Sequence, residues 1–494
     1  MAQPVVNLRP VAAELRMRNV RTRMTPKYGA TILVACPLAH LWLTCETESG
    51  ARVTGLAGDS LPPGWYDKRP GRTYRQDVED LSAAVAEAQR TVLDLGRAQP
   101  RSVFALWRDL YKHQLEWARA RDLPDLVGNL GTSLFERALI DAAGKHTNAP
   151  FHKLIADNLL GLKPEAVHPF LNGWRPAEAL SERPRSTIHV RHTVGGVDPL
   201  TEGDVAPGKR LRDGLPQTLE DYLRAEKLRY FKLKLGHDSK ADLQRLGRIA
   251  RLLDEHIPAS EPYFVTLDGN EQCDPPEALT AILEQLKPPA VSERFAAAVL
   301  FVEQPYPRAK TLDESVRAEL ARTSRIKPVI IDESDANLES VPRALELGYA
   351  GYAIKSAKGP LKAIFNKAAV QRHPNRPARG IVSGEDMMNV PVLPLHTDLV
   401  VMAALGVEHV ERNGHHFCRG LDHLAPGERE ALLKSHPRLY RKFDDSLIAL
   451  DTERGTLDVT SLNARPGFGV DASCEMDGTR MTPWAEWKFE SLGL

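Results

Sequence analysis

The spacing of apolar residues changes near residue 187, and this change divides the chain into two parts of different construction. Residues 1–75 are rich in β-type patterns, including two apolar runs within residues 30–50 that break near Pro37. Residues 78–165 place apolar side chains three and four positions apart, as amphipathic helices do. We therefore predict that the first part of the chain is a β-rich segment followed by a helical one.

After residue 187, short apolar runs alternate with amphipathic helical segments. The apolar runs cover residues 187–194, 230–235, 263–268, 299–304, 328–333, 349–355, 379–384 and 407–411. The main helical segments between them cover residues 241–256, 275–287, 336–348 and 360–373. This alternation predicts a parallel sheet, and eight strands favour a closed (β/α)8 barrel of the TIM type. A doubly wound open sheet is the alternative, but no Gly-x-Gly-x-x-Gly pattern follows the first strand.

The composition argues against several classes of protein. Among 494 residues, 65 Lys and Arg balance 65 Asp and Glu, which argues against a nucleic-acid partner. No run of ~18 apolar residues is present and the N-terminus lacks an apolar signal core, so we predict no transmembrane helix and no membrane partner. The cysteines follow neither a disulfide nor a zinc spacing, which fits a reducing cytoplasm. They are Cys36, Cys45, Cys273, Cys418 and Cys474.

Charged residues stand at the ends of successive apolar runs of the predicted barrel. The second to sixth runs end in Lys232-Leu233-Lys234, Asp268-Gly269-Asn270, Glu303-Gln304-Pro305, Asp332-Glu333-Ser334 and Lys355-Ser356. Each motif taken alone has an ordinary explanation as an exposed strand face, a turn or a helix N-cap. Those explanations do not predict one charged set at the end of each consecutive strand. Catalytic groups of a barrel enzyme lie at these ends.

The residue types at these strand ends suit one kind of chemistry. Three carboxylates from neighbouring strands can hold a Mg²⁺ ion, with substrate oxygens and water completing its shell. A substrate carboxylate on that ion would have an acidified α-proton, and the ion would stabilise the enolate that forms. Lysines on either side of the barrel mouth could move the proton, because a nearby cation and partial burial lower the pKa of a lysine.

These motifs, in this order and spacing, resemble the enolase superfamily on its mandelate racemase and muconate lactonising side. Lys232-Leu233-Lys234 resembles the family's KxK motif, and the three acidic motifs resemble its DxN, EQP and DES metal motifs. Ile354-Lys355 resembles the sixth-strand lysine of the muconate-lactonising group. Residues 138–145 resemble the helix before the barrel, and residues 44–58 resemble the hairpin of the capping domain. The seventh strand ends in Glu385-Asp386 without a histidine, which disfavours the mandelate racemase subgroup.

The resemblance implies a fold and a set of residue roles. An α+β capping domain would cover residues 1–165, a (β/α)8 barrel carrying the site residues 166–425, and a C-terminal extension residues 426–494. The extension would complete the capping domain or pack on it. Mg²⁺ would be the cofactor, and its ligands would be Asp268, Glu303 and Asp332.

Further roles follow from the same resemblance. Lys234 would be the base on one face of the substrate and Lys355 its partner on the other, while Lys232 would lower the pKa of Lys234. Glu333 is the alternative to Asp332 as the third ligand. We expect the substrate and the groups around it to be contacted by Asn270, Glu333, Glu385, Asp386 and Glu411.

The function implied is that of a Mg²⁺-dependent isomerase or lyase. It would remove the proton α to the carboxylate of a small substrate to give a metal-stabilised enolate, leading to racemisation or epimerisation, β-elimination or cycloisomerisation. The expected assembly is a cytoplasmic homo-oligomer. Two alternatives stay open: a phosphate-handling barrel with a loop at Ser383-Gly384 or Asn413-Gly414, and an inactive barrel used for binding.

Two further segments carry predictions about the substrate. Residues 58–72 form a loop that either closes over the substrate or is an ordinary exposed loop. In the first case Trp65, Tyr66, Lys68 and Arg69 would help to select the substrate. His415-His416 would lie on a strand with their side chains on opposite sides, so we do not expect both to bind one ion.

Overall fold

The chain is described by a computed structural model over residues 4–28, 31–236 and 238–494, with the backbone alone for residues 28, 472 and 474. Four cysteines, Cys36, Cys45, Cys273 and Cys418, are buried, and they are unpaired, in line with the predicted lack of a disulfide framework. The same prediction for Cys474 falls on a side chain outside the described part. None of the described helices is long and apolar enough to cross a membrane.

The N-terminal part begins with an antiparallel sheet. Its long strands are Asn7–Arg21, Ala35–Thr47 and Arg52–Ser60, and the short strands Arg101–Ser102 and Thr482–Pro483 pair with the first of them. The predicted break near Pro37 is wrong, because Pro37 lies inside the second strand, opposite Asn19. A proline is tolerated close to the start of a strand, where its missing N–H removes only one ladder bond.

Three long helices pack on this sheet: Tyr74–Leu95, Val103–Arg119 and Asp125–Thr147. Thr73 begins the first of them with a capping box, because its side chain accepts from the Gln76 amide and the Gln76 side chain accepts from the Thr73 amide. The third helix lies directly against the sheet at Gly55, where a Cβ atom would stand 1.8 Å from the Ala138 carbonyl oxygen. Only glycine permits this approach.

The second part is a closed parallel barrel, which confirms the predicted fold. Its strands are Thr187–Val194, Tyr230–Lys234, Phe264–Asp268, Val299–Glu303, Val329–Ile331, Gly351–Ile354, Ile381–Gly384 and His409–Glu411. Each strand pairs in parallel with the next, and the eighth pairs with the first to close the barrel. The strand Thr456–Asp458 adds to the first barrel strand from outside in antiparallel orientation. We number the barrel strands one to eight in this order.

Helices surround the barrel and fill the C-terminal region. Those of the barrel part are Phe151–Ala156, Leu219–Ala225, Ser239–His256, Glu277–Glu284, Glu293–Ala298, Arg308–Thr311, Arg317–Thr323, Ser340–Leu347, Pro360–Arg372, Leu393–Ala404 and Gly414–Phe417. The C-terminal region contains the helices Pro426–Ser435, Thr460–Asn463 and Ala472–Glu475, and the paired strands Tyr440–Lys442 and Ile448–Leu450. The N-terminal part lies over the carboxyl ends of the barrel strands, where Ser60 Oγ donates to the Met387 carbonyl at 3.2 Å.

Candidate active site

The register of the barrel strands brings the predicted acidic and basic residues to one level. Lys234 stands opposite Asp268 on the next strand, and Asp268 stands opposite Glu303 on the one after. Asp332 directly follows strand five, and Lys355 directly follows strand six. The structure therefore gathers these five residues at the carboxyl ends of strands two to six, where barrel enzymes place their chemistry.

Lys232 lies at the centre of the site. Its ammonium nitrogen is 2.9 Å from Asp268 Oδ2, 2.9 Å from Glu303 Oε2, 2.5 Å from Glu385 Oε2 and 3.3 Å from Glu411 Oε2. Burial by itself lowers the pKa of Lys232, but the charges of these carboxylates outweigh burial and hold it well above its ordinary value. Lys232 is therefore a fixed positive charge that compensates the acids around it.

Lys234 and Lys355 stand on opposite sides of this centre, because strands two and six oppose each other in a closed eight-stranded barrel. Lys234 Nζ lies 2.5 Å from Asp268 Oδ2, and Lys355 bonds to Asp332. Lys355 Nζ also lies 5.3 Å from the centre of the Trp65 ring.

The pKa of Lys355 differs in direction from the expectation for a catalytic lysine. Burial lowers the pKa of Lys355, but the charge of Asp332 outweighs burial and raises the pKa above its ordinary value. The predicted lowering of a lysine pKa depends on a cation beside the lysine, and the contact of Lys355 with Asp332 acts in the opposite direction.

The three predicted metal ligands are buried, with exposures of at most 1%. Burial raises the pKa of Glu303 well above its ordinary value, and Glu385 adds to that effect. Burial also raises the pKa of Asp268, but Lys232 and Lys234 outweigh it and lower that pKa. In the described part of the chain the oxygens of Asp268, Glu303 and Asp332 do not all come within 4.8 Å of one another, and lysine ammonium groups contact each acid.

The two neighbouring acids after strand five face different groups. Asp332 contacts Lys355 on one oxygen and Lys358 on the other, the latter at 3.1 Å. Glu333 accepts from Asn270 Nδ2 at 3.1 Å and lies 3.6 Å from Lys68 Nζ, while its second oxygen is buried without a hydrogen-bond partner. Asn270 and Glu333, two residues predicted to contact the substrate, are therefore neighbours.

The remaining acids predicted to contact the substrate differ in their partners, although Glu385 and Glu411 share a contact with Lys232. Glu385 is fully buried and bonds to Lys232 and Arg191, so it lies below the opening of the site. Glu411 accepts from Thr193 Oγ1 at 2.6 Å. Asp386 accepts from backbone amides of residues 389, 413 and 414 and so fixes the loops after strands seven and eight.

Sequence reasoning missed two cations of this site. Lys358 is 3% exposed and contacts Asp332, and it follows Lys355 by three residues, within one helical turn. That spacing is the signal that could have revealed Lys358. Arg191 is completely buried inside strand one, where it bonds to Glu385. The corresponding signal for Arg191 is a charged residue in the middle of a predicted barrel strand.

A cavity of about 90 Å³ opens above these residues. Its floor includes the lysines and acids at the strand ends, and its other side is formed by residues of the N-terminal sheet and of the loops after strands seven and eight. Trp65 and Tyr66 of the predicted substrate loop are both buried, and Trp65 lines the cavity. Arg69 bonds to Asp67 and Asp122.

Two histidine groups lie outside this cavity floor. His415 and His416 belong to the helix Gly414–Phe417, so their placement on a strand is wrong: strand eight ends at Glu411. In the described part of the chain, His396, His436 and Glu475 form the group whose ligand-type atoms all lie within 4.8 Å of one another. Arg465 already supplies a cation there, at 2.6 Å from Glu475 Oε1.

Comparison with known proteins finds the fold but no close relative: no family model and no curated protein matches the chain. A muconate lactonizing enzyme from Pseudomonas fluorescens is 15% identical with a TM-score of 0.57, and the match covers 95% of this chain and 97% of that one. The L-Ala-D/L-Glu epimerase from Bacillus subtilis is 14% identical with a TM-score of 0.57, covering 93% and 98%. A mandelate racemase/muconate lactonizing protein from Herpetosiphon aurantiacus is 16% identical with a TM-score of 0.57, covering 94% and 98%.

These matches extend over nearly the whole length of each chain. At identities of 14–16% they establish the fold alone. The chain therefore has the capped-barrel fold of the muconate lactonizing enzymes and epimerases, which confirms at the level of fold the resemblance seen in the sequence motifs.

Proposed function

We propose that this protein is a Mg²⁺-dependent enzyme that removes the proton α to a substrate carboxylate, as an isomerase or a lyase. One observation carries the proposal: Lys234 and Lys355 stand on opposite sides of a buried group of acids at the carboxyl ends of the barrel strands. The solved structures with this fold are named as lactonizing enzymes and epimerases, which supports the same class of chemistry.

The acids at the strand ends fit a hard dication. Asp268, Glu303 and Asp332 offer only oxygen ligands, as Mg²⁺ prefers. Glu303 Oε2 is buried, and its charge is balanced by Lys232 Nζ at 2.9 Å, so a bound dication would share these acids with that lysine. The dication would polarise the substrate carboxylate and so acidify the α-carbon.

Asp332 fits the role of third ligand better than Glu333. Asp332 contacts Lys355, the proposed base, with one oxygen and Lys358 with the other. Glu333 instead bonds to Asn270 and lies near Lys68, which supports a role beside the substrate.

The two lysines account for the movement of the proton. The neutral amine of one lysine would take the α-proton from its face of the substrate, and the ammonium of the other would return a proton to the opposite face. That sequence inverts the α-carbon. If a leaving group departs from the β-carbon instead, no proton returns to carbon and the outcome is elimination.

The two alternatives have less support. A phosphate loop at Asn413-Gly414 would need free backbone amides, but both amides donate to Asp386 Oδ2. Among the residues that the structure describes, no specific contact favours an inactive binding barrel. A buried set of acids and lysines is costly to keep unless its charges serve a purpose.

Mg²⁺ binding tests the proposal directly. We expect Glu303→Gln to weaken Mg²⁺ binding, measured by isothermal titration calorimetry, by more than the ~10–100-fold typical for residues behind a metal ligand. Glu314→Gln is the matched control, because Glu314 is an exposed acid with arginine partners. If Glu303→Gln stays folded by circular dichroism and binds Mg²⁺ as the parent does, the site assignment is wrong.

A further inference from the structure

The side of the cavity opposite the charged floor is apolar. Val20 and Leu38 come from the N-terminal sheet, Met388 and Val390 from the loop after strand seven, and Cys418 from the segment after strand eight. These five residues, which we call the apolar wall, pack against one another as a cluster separate from the main hydrophobic core. Four of them are only 2–4% exposed.

Apart from the exposed Lys27, the polar groups near the apolar wall are neutral or already bonded. The hydroxyls of Thr22 and Ser60 donate to backbone carbonyls. Burial raises the pKa of the Cys36 and Cys418 thiols to about 12, so both are neutral at physiological pH. Lys27 also lines the cavity, but its side chain is exposed.

Asp386 also lines the cavity, and it precedes Met388 of the apolar wall by two positions. Its two oxygens accept backbone amides from the loops after strands seven and eight, so it holds those loops together. A charged group of a ligand placed against the apolar wall would therefore lose water, and Lys27, the cation of the described lining outside the floor, is exposed and so a weak partner. An apolar group would gain by leaving water.

We infer that the substrate is a carboxylate whose remaining part is an uncharged, apolar group that packs on the apolar wall. The inference rests on the proposed function for the placement of the carboxylate end. The apolar end is argued from the wall itself, so the two can be tested separately. Branched aliphatic and aromatic groups match the side chains of the wall, and ammonium or carboxylate groups do not.

A series of 2-hydroxy acids tests this inference, because the hydroxyl and carboxylate keep one end of the ligand constant. Calorimetry on the full-length, Mg²⁺-loaded protein should show affinity rising from 2-hydroxypropanoate to 2-hydroxyheptanoate by about fourfold per methylene. 6-Amino-2-hydroxyhexanoate has the length of 2-hydroxyheptanoate but ends in an ammonium group. We expect it to bind at least ~100-fold more weakly.

Two variants locate the effect at the apolar wall. Val390→Ala should weaken 2-hydroxyheptanoate roughly tenfold and leave 2-hydroxypropanoate unchanged. Val20→Thr keeps the side-chain shape and should show the same pattern, which separates the effect from misfolding. Val401→Ala is the matched control, since Val401 is fully buried in the helix Leu393–Ala404 and does not line the cavity.

The possible results separate this inference from the proposed function. Four results would each overturn the apolar wall as a substrate site. They are an affinity that does not depend on chain length, equal binding of 6-amino-2-hydroxyhexanoate and 2-hydroxyheptanoate, equal effects of Val390→Ala and Val401→Ala, and no binding of any acid. If the predicted affinities are found but no acid exchanges its α-proton in deuterated water, the inference stands and the proposed reaction is wrong.

Discussion

The lysines of the candidate site differ in the number of carboxylates that each one contacts. Lys232 lies within 3.3 Å of four carboxylates and is 1% exposed, so it is fixed among them. Lys234 contacts one carboxylate, Asp268, and Lys355 contacts one, Asp332. Both also line the cavity, so these two can exchange a carboxylate partner for a substrate.

This difference predicts face-specific effects of removing each lysine. Lys355→Ala should lose α-proton exchange on one face of a chiral substrate and keep partial exchange on the other, and Lys234→Ala should show the reverse. Each loss should be ~10²–10⁴-fold, the usual contribution of a general base. NMR of deuterium incorporation into each enantiomer measures both rates.

Lys310→Ala is the control for that experiment, because Lys310 is half exposed and pairs only with Asp274 among its contacts. Equal slowing of both faces by Lys355→Ala would mean that Lys355 stabilises charge without moving the proton. Unchanged exchange in both variants would contradict the lysine mechanism and shift attention to Glu385 and Asp386.

At the scale of residues, the sequence shows which side chains gather at the site but not the direction of their pKa shifts. The charged strand ends are visible because each follows a short apolar run, and a barrel brings such ends together. The pKa direction of Lys355 depends on contact with Asp332, which is set by side-chain packing in three dimensions. The same holds for Lys358: its three-residue spacing from Lys355 is visible in the sequence, but only the contact with Asp332 shows that its side chain turns inward.

At the scale of elements, the helix Asp125–Thr147 holds the turn that carries Lys355. Asn129 Nδ2 and Ser133 Oγ each donate at 2.8 Å to carbonyls of the turn, those of residues 358 and 356. Glu136 Oε1 accepts the Leu361 amide at 2.5 Å, at the start of the next helix. The helix of the N-terminal part therefore positions a lysine of the barrel.

Glu136 should make stability depend on pH. Burial raises its pKa to about 8, whereas an unfolded chain has a value near ~4.3. Between these values the folded state keeps a proton that the unfolded state has lost, so the contribution of Glu136 to stability falls as pH rises. Glu136→Gln should therefore raise the midpoint of thermal unfolding relative to the parent more at pH 8 than at pH 5.

Scanning calorimetry at the two pH values measures that difference. Glu284→Gln, at an exposed acid, should show no such change between pH 5 and pH 8. A Glu136→Gln variant whose midpoint relative to the parent is the same at both pH values would show that Glu136 is ionised in the folded protein.

Gly359 offers a second test of this contact. Its φ is 101°, and a Cβ atom there would lie 2.8 Å from Glu136 Oε2. Gly348 has a φ of 106°, but a Cβ atom there would meet nothing within 4 Å, so Gly348→Ala carries backbone strain of roughly 1–2 kcal/mol without the clash. We expect Gly359→Ala to lower both stability and kcat more than Gly348→Ala. Equal effects on kcat would remove Glu136 and Gly359 from the positioning of Lys355.

Element boundaries show how far local patterns reach. The predicted barrel strands match the observed ones to within about two residues because each is a short buried run between helices. The placement of His415 and His416 on a strand failed because the apolar run ends before them and a new helix begins at Gly414. The prediction of a break at Pro37 failed for the opposite reason. Proline favours a break locally, but pairing with Asn19 keeps the strand continuous.

At the scale of the whole molecule, the cavity exists only because distant segments meet. Val20 and Trp65 from the N-terminal part and Phe417 from the far end of the barrel line the same space. The buried pair Arg18–Glu428, at 2.8 Å, joins the first strand to the C-terminal region. Contacts across such separations leave no local pattern, so the sequence could predict the floor of the site but not its apolar wall.

The division of the chain at residues 165 and 425 remains a proposal. The strand Thr482–Pro483 pairs with the first strand of the N-terminal sheet, so the end of the chain belongs in space to that sheet. Removal of an α-proton requires the whole molecule, because the cavity is formed by the charged floor and the apolar wall together. The central claim is therefore best tested on the intact chain.

The most direct measurement is incorporation of solvent deuterium at the α-carbon, followed by NMR. The panel contains 2-hydroxy acids with aliphatic or aromatic groups, together with acid sugars, dipeptides and aryl-substituted succinates. We expect the Mg²⁺-loaded protein to exchange the α-proton of at least one of these acids. Removing the ion with EDTA should stop the exchange, and restoring Mg²⁺ should recover it. Exchange that continues undiminished without the ion, or its absence across a panel whose members bind to the loaded protein, would contradict the proposed reaction.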